Sequence, residues 1–163
     1  MICMSHRSSV EARDKELIKE LYPSLRKIAA ITGGVDVEPD DLVQEALVRT
    51  LSIRSLSDLD NPLAYLRRTI VNLAANQRRS HARSLRALAR LTDSESVLPS
   101  FPADVEAILD LPPRQRAILY LVEVEGVPYA EAADQLGMTT AAARQLAARA
   151  RKRVRFNLGV VGG

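Results

Sequence analysis

The chain has 163 residues, of which 47% are hydrophobic, only 4% are aromatic and none is Trp, with a formal net charge of +3. Cores made of Leu, Ile, Val and Ala favour helices over sheets. A single cysteine, Cys3, excludes an intrachain disulfide framework and a Cys-based metal site. No apolar run approaches the roughly 18 residues of a membrane span. The start, "MICMSHRSSV", has no signal-peptide core. These features predict a soluble intracellular protein, at home in a reducing compartment.

In chain order, Leu17, Leu21, Leu25 and Ile28 have the spacing of a helix face. Pro23 predicts a break or kink near Leu21–Pro23, and "TGG" at 32–34 ends the segment. "VEPDDLVQEALVRTL" opens with acids that suit a helix N-terminus, and Leu42, Val43, Ala46, Leu47 and Leu51 form its apolar face. "SIRSLSDLDNP" (52–62) reads as a loop, followed by a long helix from about Pro62 to about Leu88. "TDSESVLPSFPAD" has no Lys or Arg and reads as a linker. A second helical block begins near Ala103, with a helix start at Pro112 and Pro113 and an end at Gly126. "YAEAADQLG" is a short helix closed by Gly137, and "TTAAARQLAARARKRVRF" a final basic helix. No strand-period alternation appears. The prediction is all-α: two small helical domains at 11–90 and 104–156, joined by a flexible linker at 91–103.

The stretch "LRRTIVNLAANQRRSHARSLRALAR" (66–90) has seven arginines and no acid. At 100° per residue, Arg68, Asn72, Asn76, Arg79, Arg83, Arg86 and Arg90 fall within an arc of about 80°. Leu63, Leu66, Ile70, Leu73, Ala74 and Leu88 lie opposite. Solvated helix faces usually interleave acids with bases. A face of unrelieved cations suits a polyanion, and the amides carry both the donor and the acceptor needed to read a base edge. In the second block, Ala133, Gly137 and Ala143 are small where two helices of a helix-turn-helix would approach. The second of these helices carries Arg144, Gln145, Arg149, Arg151, Lys152, Arg153 and Arg155 without an acid, as a helix lying in a major groove would.

Two surfaces suited to DNA, in this order, carry a resemblance. "DDLVQEAL" (40–47), "YLRRTIVNLAANQRR" (65–79) and "LPPRQRAILYLVEVEGVPYAEAADQLGM" followed by "ARQLAARARKRVR" resemble regions 2.2, 2.3–2.4 and 4 of the extracytoplasmic-function sigma factors of bacterial RNA polymerase. The resemblance covers roughly residues 16–156. It implies promoter-directed transcription initiation with core RNA polymerase, through its β′ coiled coil and β flap, with promoter DNA and an anti-sigma factor as further partners. It implies no catalytic residue, cofactor, metal or membrane contact, and a cytoplasmic setting. Asp41, Gln44 and Glu45 match the polymerase-docking motif; helix-dipole compensation is their plainer explanation. Asp60, Asn61, Arg68, Asn72, Asn76, Arg79 and Arg83 match the minus-10 surface, where the loop "SLSDLDNP" and Asn72 would form a pocket for a flipped base. Tyr65 stands where relatives often have Trp. Thr140, Arg144, Gln145, Arg149 and Arg151 match the minus-35 reader. Ala141, Ala142, Ala143 and Leu146 replace residues that relatives often use there, which points to an unusual or relaxed minus-35 preference. Two other functions fit parts of the pattern: a helix-turn-helix regulator that does not engage polymerase, and a sigma-like decoy that binds an anti-sigma protein. An enzyme fits least, since the chain has no phosphate loop, metal-ligand cluster or nucleophile–base pair.

Overall fold

The structure, a computed structural model, describes residues 2–90 and 101–160, with side chains described from residue 9 onward. Most of the expected linker therefore lies outside the described residues. Among the described residues there is no strand. The first block holds α1 (Ile2–Thr32), α2 (Pro39–Leu51), a 3₁₀ turn (Leu56–Asp58) and α3 (Pro62–Ala89). The second holds α4 (Ala103–Leu109), α5 (Pro113–Leu119) running on into a π-helical turn (Tyr120–Val124), α6 (Tyr129–Leu136) and α7 (Thr140–Asn157).

Local chemistry explains most boundaries. Asn61 caps α3 by accepting from the Ala64 N–H at 3.0 Å, and Pro62 fills the first helical position. Pro113 does the same for α5. Gly137 ends α6 in the left-handed region, φ +66°, and Thr139 caps α7 by accepting from Ala142 N–H at 3.2 Å. Gly126, at φ +68°, turns the chain after the π-helical turn.

Three expectations need correction. α1 runs through Pro23 without a break. Pro23 is exposed, so the carbonyl deprived of its partner one turn earlier faces water, while Leu25 and Ile28 beyond it are fully buried. In α2 the fifth inward position belongs to Thr50 rather than Leu51: Thr50 is buried because its Oγ1 donates to the Ala46 carbonyl at 2.8 Å, whereas Leu51 is 42% exposed. The apolar back of α3 is buried only as far as Ala74. Leu85 and Leu88 are exposed, because the helix outruns the bundle beneath it.

Within the first block, the stretch expected as loop is organised from a distance. Asp14 of α1, 7% exposed, accepts from Ser55 Oγ at 2.8 Å, from Leu56 N–H at 3.1 Å and from Ser57 N–H at 2.9 Å. Burial pushes its pKa up, but the hydrogen bonds from Ser55, Ser57 and Leu56 outweigh this and hold the carboxyl below the usual range.

Periodicity gives no sign that the two blocks pack on one another. Leu25, Ile28, Leu42, Leu66 and Ile70 belong to the same buried cluster as Ile118, Leu121, Ala132 and Leu136. Because that cluster spans both blocks, urea denaturation should show one cooperative transition. Leu66→Ala and Leu121→Ala should each shift this transition by about 2–5 kcal/mol; two resolved transitions, each answering to one substitution, would show that the blocks do not share a core. A second expectation concerns acid. The folded pKa of Asp14 is depressed, so its stabilisation is present above the unfolded carboxyl pKa and is lost as pH falls through the folded value. Asp14→Asn should therefore lower stability at neutral pH more than at pH about 3, as read from denaturation midpoints across that range.

Candidate nucleic-acid and polymerase interfaces

The arginines of α3 divide by direction. Arg79 and Arg83 are exposed, and Asn76 accepts a short hydrogen bond from Arg79. Arg68 and Asn72, on the same face nearer the N-terminus, are only partly exposed because the second block leans on them. Arg68 Nη2 donates to the Asp134 carbonyl at 2.7 Å, and Asn72 Oδ1 accepts from Arg114 Nη2 at 2.8 Å. Asp60 and Asn61, just before α3, are exposed. Tyr65 is half-buried under the Arg54 guanidinium, 5.6 Å from its ring centre.

The seam between the blocks is built from Arg68 and from three arginines that the sequence reading did not single out. Arg67, 4% exposed, donates to Gln135 Oε1 at 2.6 Å, Ser24 Oγ at 2.5 Å and Glu125 Oε1 at 2.9 Å. Arg116, also 4% exposed, donates to the Thr32 and Gly33 carbonyls, both at 2.9 Å, at the C-terminal end of α1. Arg78 donates to the Asp110 and Leu111 carbonyls just past α4. Arg68, at Asp134, meets the last turn of α6. Arg116, Arg78 and Arg68 thus each place a guanidinium at a helix C-terminus across the seam, where last-turn carbonyls and the negative end of the dipole attract a cation. Burial, and then the neighbouring Arg78 charge, lower the Arg116 pKa to about 10, so it stays charged at neutral pH. The seam is incompletely satisfied: Nε of Arg67, Arg68 and Arg116 is buried without a hydrogen-bond partner. One signal in the sequence pointed to this. On the helical wheel Arg67 lies roughly 20° from the buried Ala74 and about 100° from Arg68, so it belongs to the flank of the apolar back.

On α2, Asp41 and Gln44 are exposed, and Glu45 is half-buried with its carboxylate accepting from Arg49 at 2.5 Å. Asp40 is engaged differently, accepting from Tyr22 Oη at 2.8 Å and Arg26 Nε at 3.0 Å. Asp41 also lines a cleft of about 670 Å³ between the 34–38 turn, α3 and α4.

In the second block Ala133 and Ala143 are buried where α6 and α7 approach. Arg144, Gln145 and Arg149 are exposed along α7. Arg144 lies 5.9 Å from the Tyr129 ring centre. Arg151 is tied back to its own block, donating to Glu123 at 2.7 Å and Tyr129 Oη at 3.1 Å. Those bonds, Tyr129 first, raise its pKa further. Thr140 is half-buried in the first turn of α7, whereas the capping hydroxyl belongs to Thr139. Among the described residues no helix is long and apolar enough to cross a membrane, and no group of three or more His, Cys, Asp or Glu is placed to hold a metal ion.

The comparisons with known proteins agree with this layout. Residues 17–84 match the family model for sigma-70 region 2, and residues 105–154 the model for sigma-70 region 4. The ECF RNA polymerase sigma factor SigJ of Mycobacterium tuberculosis is 31% identical over 159 residues, covering 88% of this chain and 50% of the relative. The ECF RNA polymerase sigma factor SigM of the same species is 26% identical over 149 residues, covering 88% of this chain and 76% of the relative. The chain thus spans only half the length of SigJ. Among solved structures, the sigma factor RpoE from Bartonella quintana, in complex with the anti-sigma factor NepR, shares the fold with a TM-score of 0.64 at 23% identity, over 91% of this chain and 98% of that one. The crystal structure of SigJ matches with a TM-score of 0.55 at 27% identity, over 86% of this chain and 52% of that one. With both regions matched in order over most of its length, the chain belongs to the sigma-70 family, in the extracytoplasmic-function group.

Proposed function

We propose that the chain is an alternative sigma factor, which binds core RNA polymerase and directs it to promoters by reading a minus-10 and a minus-35 element. The observation that supports this most is the acid-free face of α3, where arginines for phosphates and amides for base edges share one stripe. On this reading residues 11–90 and 104–156 are the two functional domains and work in the cytoplasm, and catalysis is left to the polymerase. Asp41, Gln44 and Glu45 dock on the β′ coiled coil, and the second block meets the β flap. Asp60, Asn61, Arg68, Asn72, Asn76, Arg79 and Arg83 take the melted minus-10 strand. Thr140, Arg144, Gln145, Arg149 and Arg151 face the minus-35 duplex, with Arg151 first released from Glu123 and Tyr129. Arg68 and Asn72 are occupied by Asp134 and Arg114, so the second block moves off α3 before the minus-10 strand binds. Because the RpoE relative was solved with an anti-sigma factor, we extend such a partner to this chain, which would hold the blocks in a form unable to bind DNA.

Charge reversal at Asp41 and Glu45 should weaken competition for core polymerase, with little change in the unfolding midpoint, since neither is buried. Normal competition by the double variant would remove the docking assignment. Asn72→Ala should cost about 1–3 kcal/mol at particular minus-10 bases and leave binding to a minus-35 duplex unchanged. Arg144→Ala should weaken duplex binding broadly, flatten its salt dependence by about one counterion, and be partly rescued on a pre-melted template. The measurement is transcription from duplex and pre-melted templates with base substitutions at each element. If Asn72→Ala has no effect at any minus-10 base, α3 provides phosphate contacts but no base reading.

A further inference from the structure

Asp14 lies outside the residues matched by the region 2 family model, which begin at residue 17. Nothing in the docking or DNA surfaces described above uses it. Yet it is the most completely hydrogen-bonded carboxylate described here, and all of its partners come from a segment more than forty positions away. Ser55 Oγ lies 2.8 Å from both carboxylate oxygens, and the amides of Leu56 and Ser57 donate one to each. Ser55 Oγ also sits 2.7 Å from Ser57 Oγ and accepts from Ser57 N–H, and the Leu56 side chain is fully buried beneath them.

The consequence lies downstream. The chain leaves this clamp at Ser57 and enters α3 at Asn61, whose side chain caps the helix. Asp58, Leu59 and Asp60 therefore span a short gap fixed at both ends. Within the gap, Leu59 N–H donates to the Leu56 carbonyl at 3.1 Å. A loop held this way keeps its exposed residues in one geometry before any ligand arrives, which sharpens discrimination between ligands. The clamp also requires a carboxylate. Three donors converge on two oxygens, and an amide would turn an N–H₂ toward one of them.

We infer that Asp14 is a positioning residue for base reading: its buried carboxylate fixes the 55–57 turn and so sets the orientation of Asp60 and Asn61 toward the minus-10 strand. This rests on the proposed reading of that loop as part of the minus-10 surface. Ionisation of Asp14 is favoured by the same hydrogen bonds, so the clamp is in place at neutral pH.

The test uses the full chain bound to core polymerase and a pool of single-stranded oligonucleotides randomised across the minus-10 positions. Relative affinities are read for every base at every position. Asp14→Ala should flatten the preference at one or more positions by about fivefold or more, while affinity averaged over the pool changes by less than about twofold. Ser55→Ala leaves the two amide donors in place. It should flatten the same positions by a smaller factor, and adding it to Asp14→Ala should flatten them no further; if Asp14→Ala fails to fold, Ser55→Ala carries the test alone. A uniform loss of affinity that tracks the loss of folded protein would make Asp14 merely structural and overturn the inference. So would an unchanged preference in both Asp14→Ala and Ser55→Ala while Asp60→Ala or Asn61→Ala alters it. If neither Asp60→Ala nor Asn61→Ala alters preference anywhere, the reading of the loop fails first and the inference falls with it.

Discussion

An arginine that cannot find a carboxylate must find another acceptor or remain in water, and this rule organises the molecule. α3 has no acid after residue 62, so its guanidiniums have no local i,i+4 partner. The acceptors come from helix ends instead: Arg78 at α4, Arg68 at α6 and, in the opposite direction, Arg116 at α1. Each helix terminus leaves carbonyls without an intrahelical donor, and a guanidinium placed there satisfies two needs at once. The packing of the two blocks into one core follows from where those ends lie. Among the described residues, only Arg67 reaches a carboxylate across the seam, that of Glu125.

The nature of those acceptors bears on what the seam can do. A backbone carbonyl is neutral, and charge-assisted bonds to a phosphate are stronger than bonds to a neutral acceptor. Three buried Nε donors at the seam have no partner, and each such group costs about 1–3 kcal/mol. The closed arrangement is thus held by the shared apolar cluster and the arginine contacts across the seam, less the cost of these unpartnered donors. Under the proposed function, a polyanion offers Arg68 and Arg78 better acceptors than the ones they leave, so that opening the seam and binding DNA favour one another.

Much of this fold was legible because its determinants are local. Asn61–Pro62, Pro113 and Gly137 each dictate a boundary within a few residues, and α3 shows its apolar back and its arginine–amide front by simple angular position. The candidate site was legible in the same sense: Arg68, Asn72 and Asn76 share a face, and the chemistry of that face follows from residue type. Other features lay beyond reach for an equally physical reason. That Arg68 meets Asp134, Arg114 meets Asn72 and Asp14 meets Ser55 depends on how helices dock, and no periodicity in a single segment encodes a partner dozens of positions away. Pro23 did not break α1, because it sits on the exposed side of the helix where water replaces the lost donor of the freed carbonyl. At Thr50 a β-branched hydroxyl bonded to its own helix and took an inward position that hydrophobicity alone gives to Leu51.

Gly137 carries a consequence for how this chain can vary. Its φ of +66° alone would admit Asn at modest cost. A Cβ at this position, however, would lie 2.7 Å from Arg68 Nε, so the turn of the second block and the Arg68 side chain of the first compete for the same space. Position 137 is therefore coupled to position 68 by exclusion, and tolerance at one depends on the residue at the other. In a saturation library built on the native background, a side chain at 137 should be accepted only by displacing Arg68 from its place against the turn. Built on Arg68→Ala, the same library should admit asparagine and aspartate, leaving only the backbone requirement.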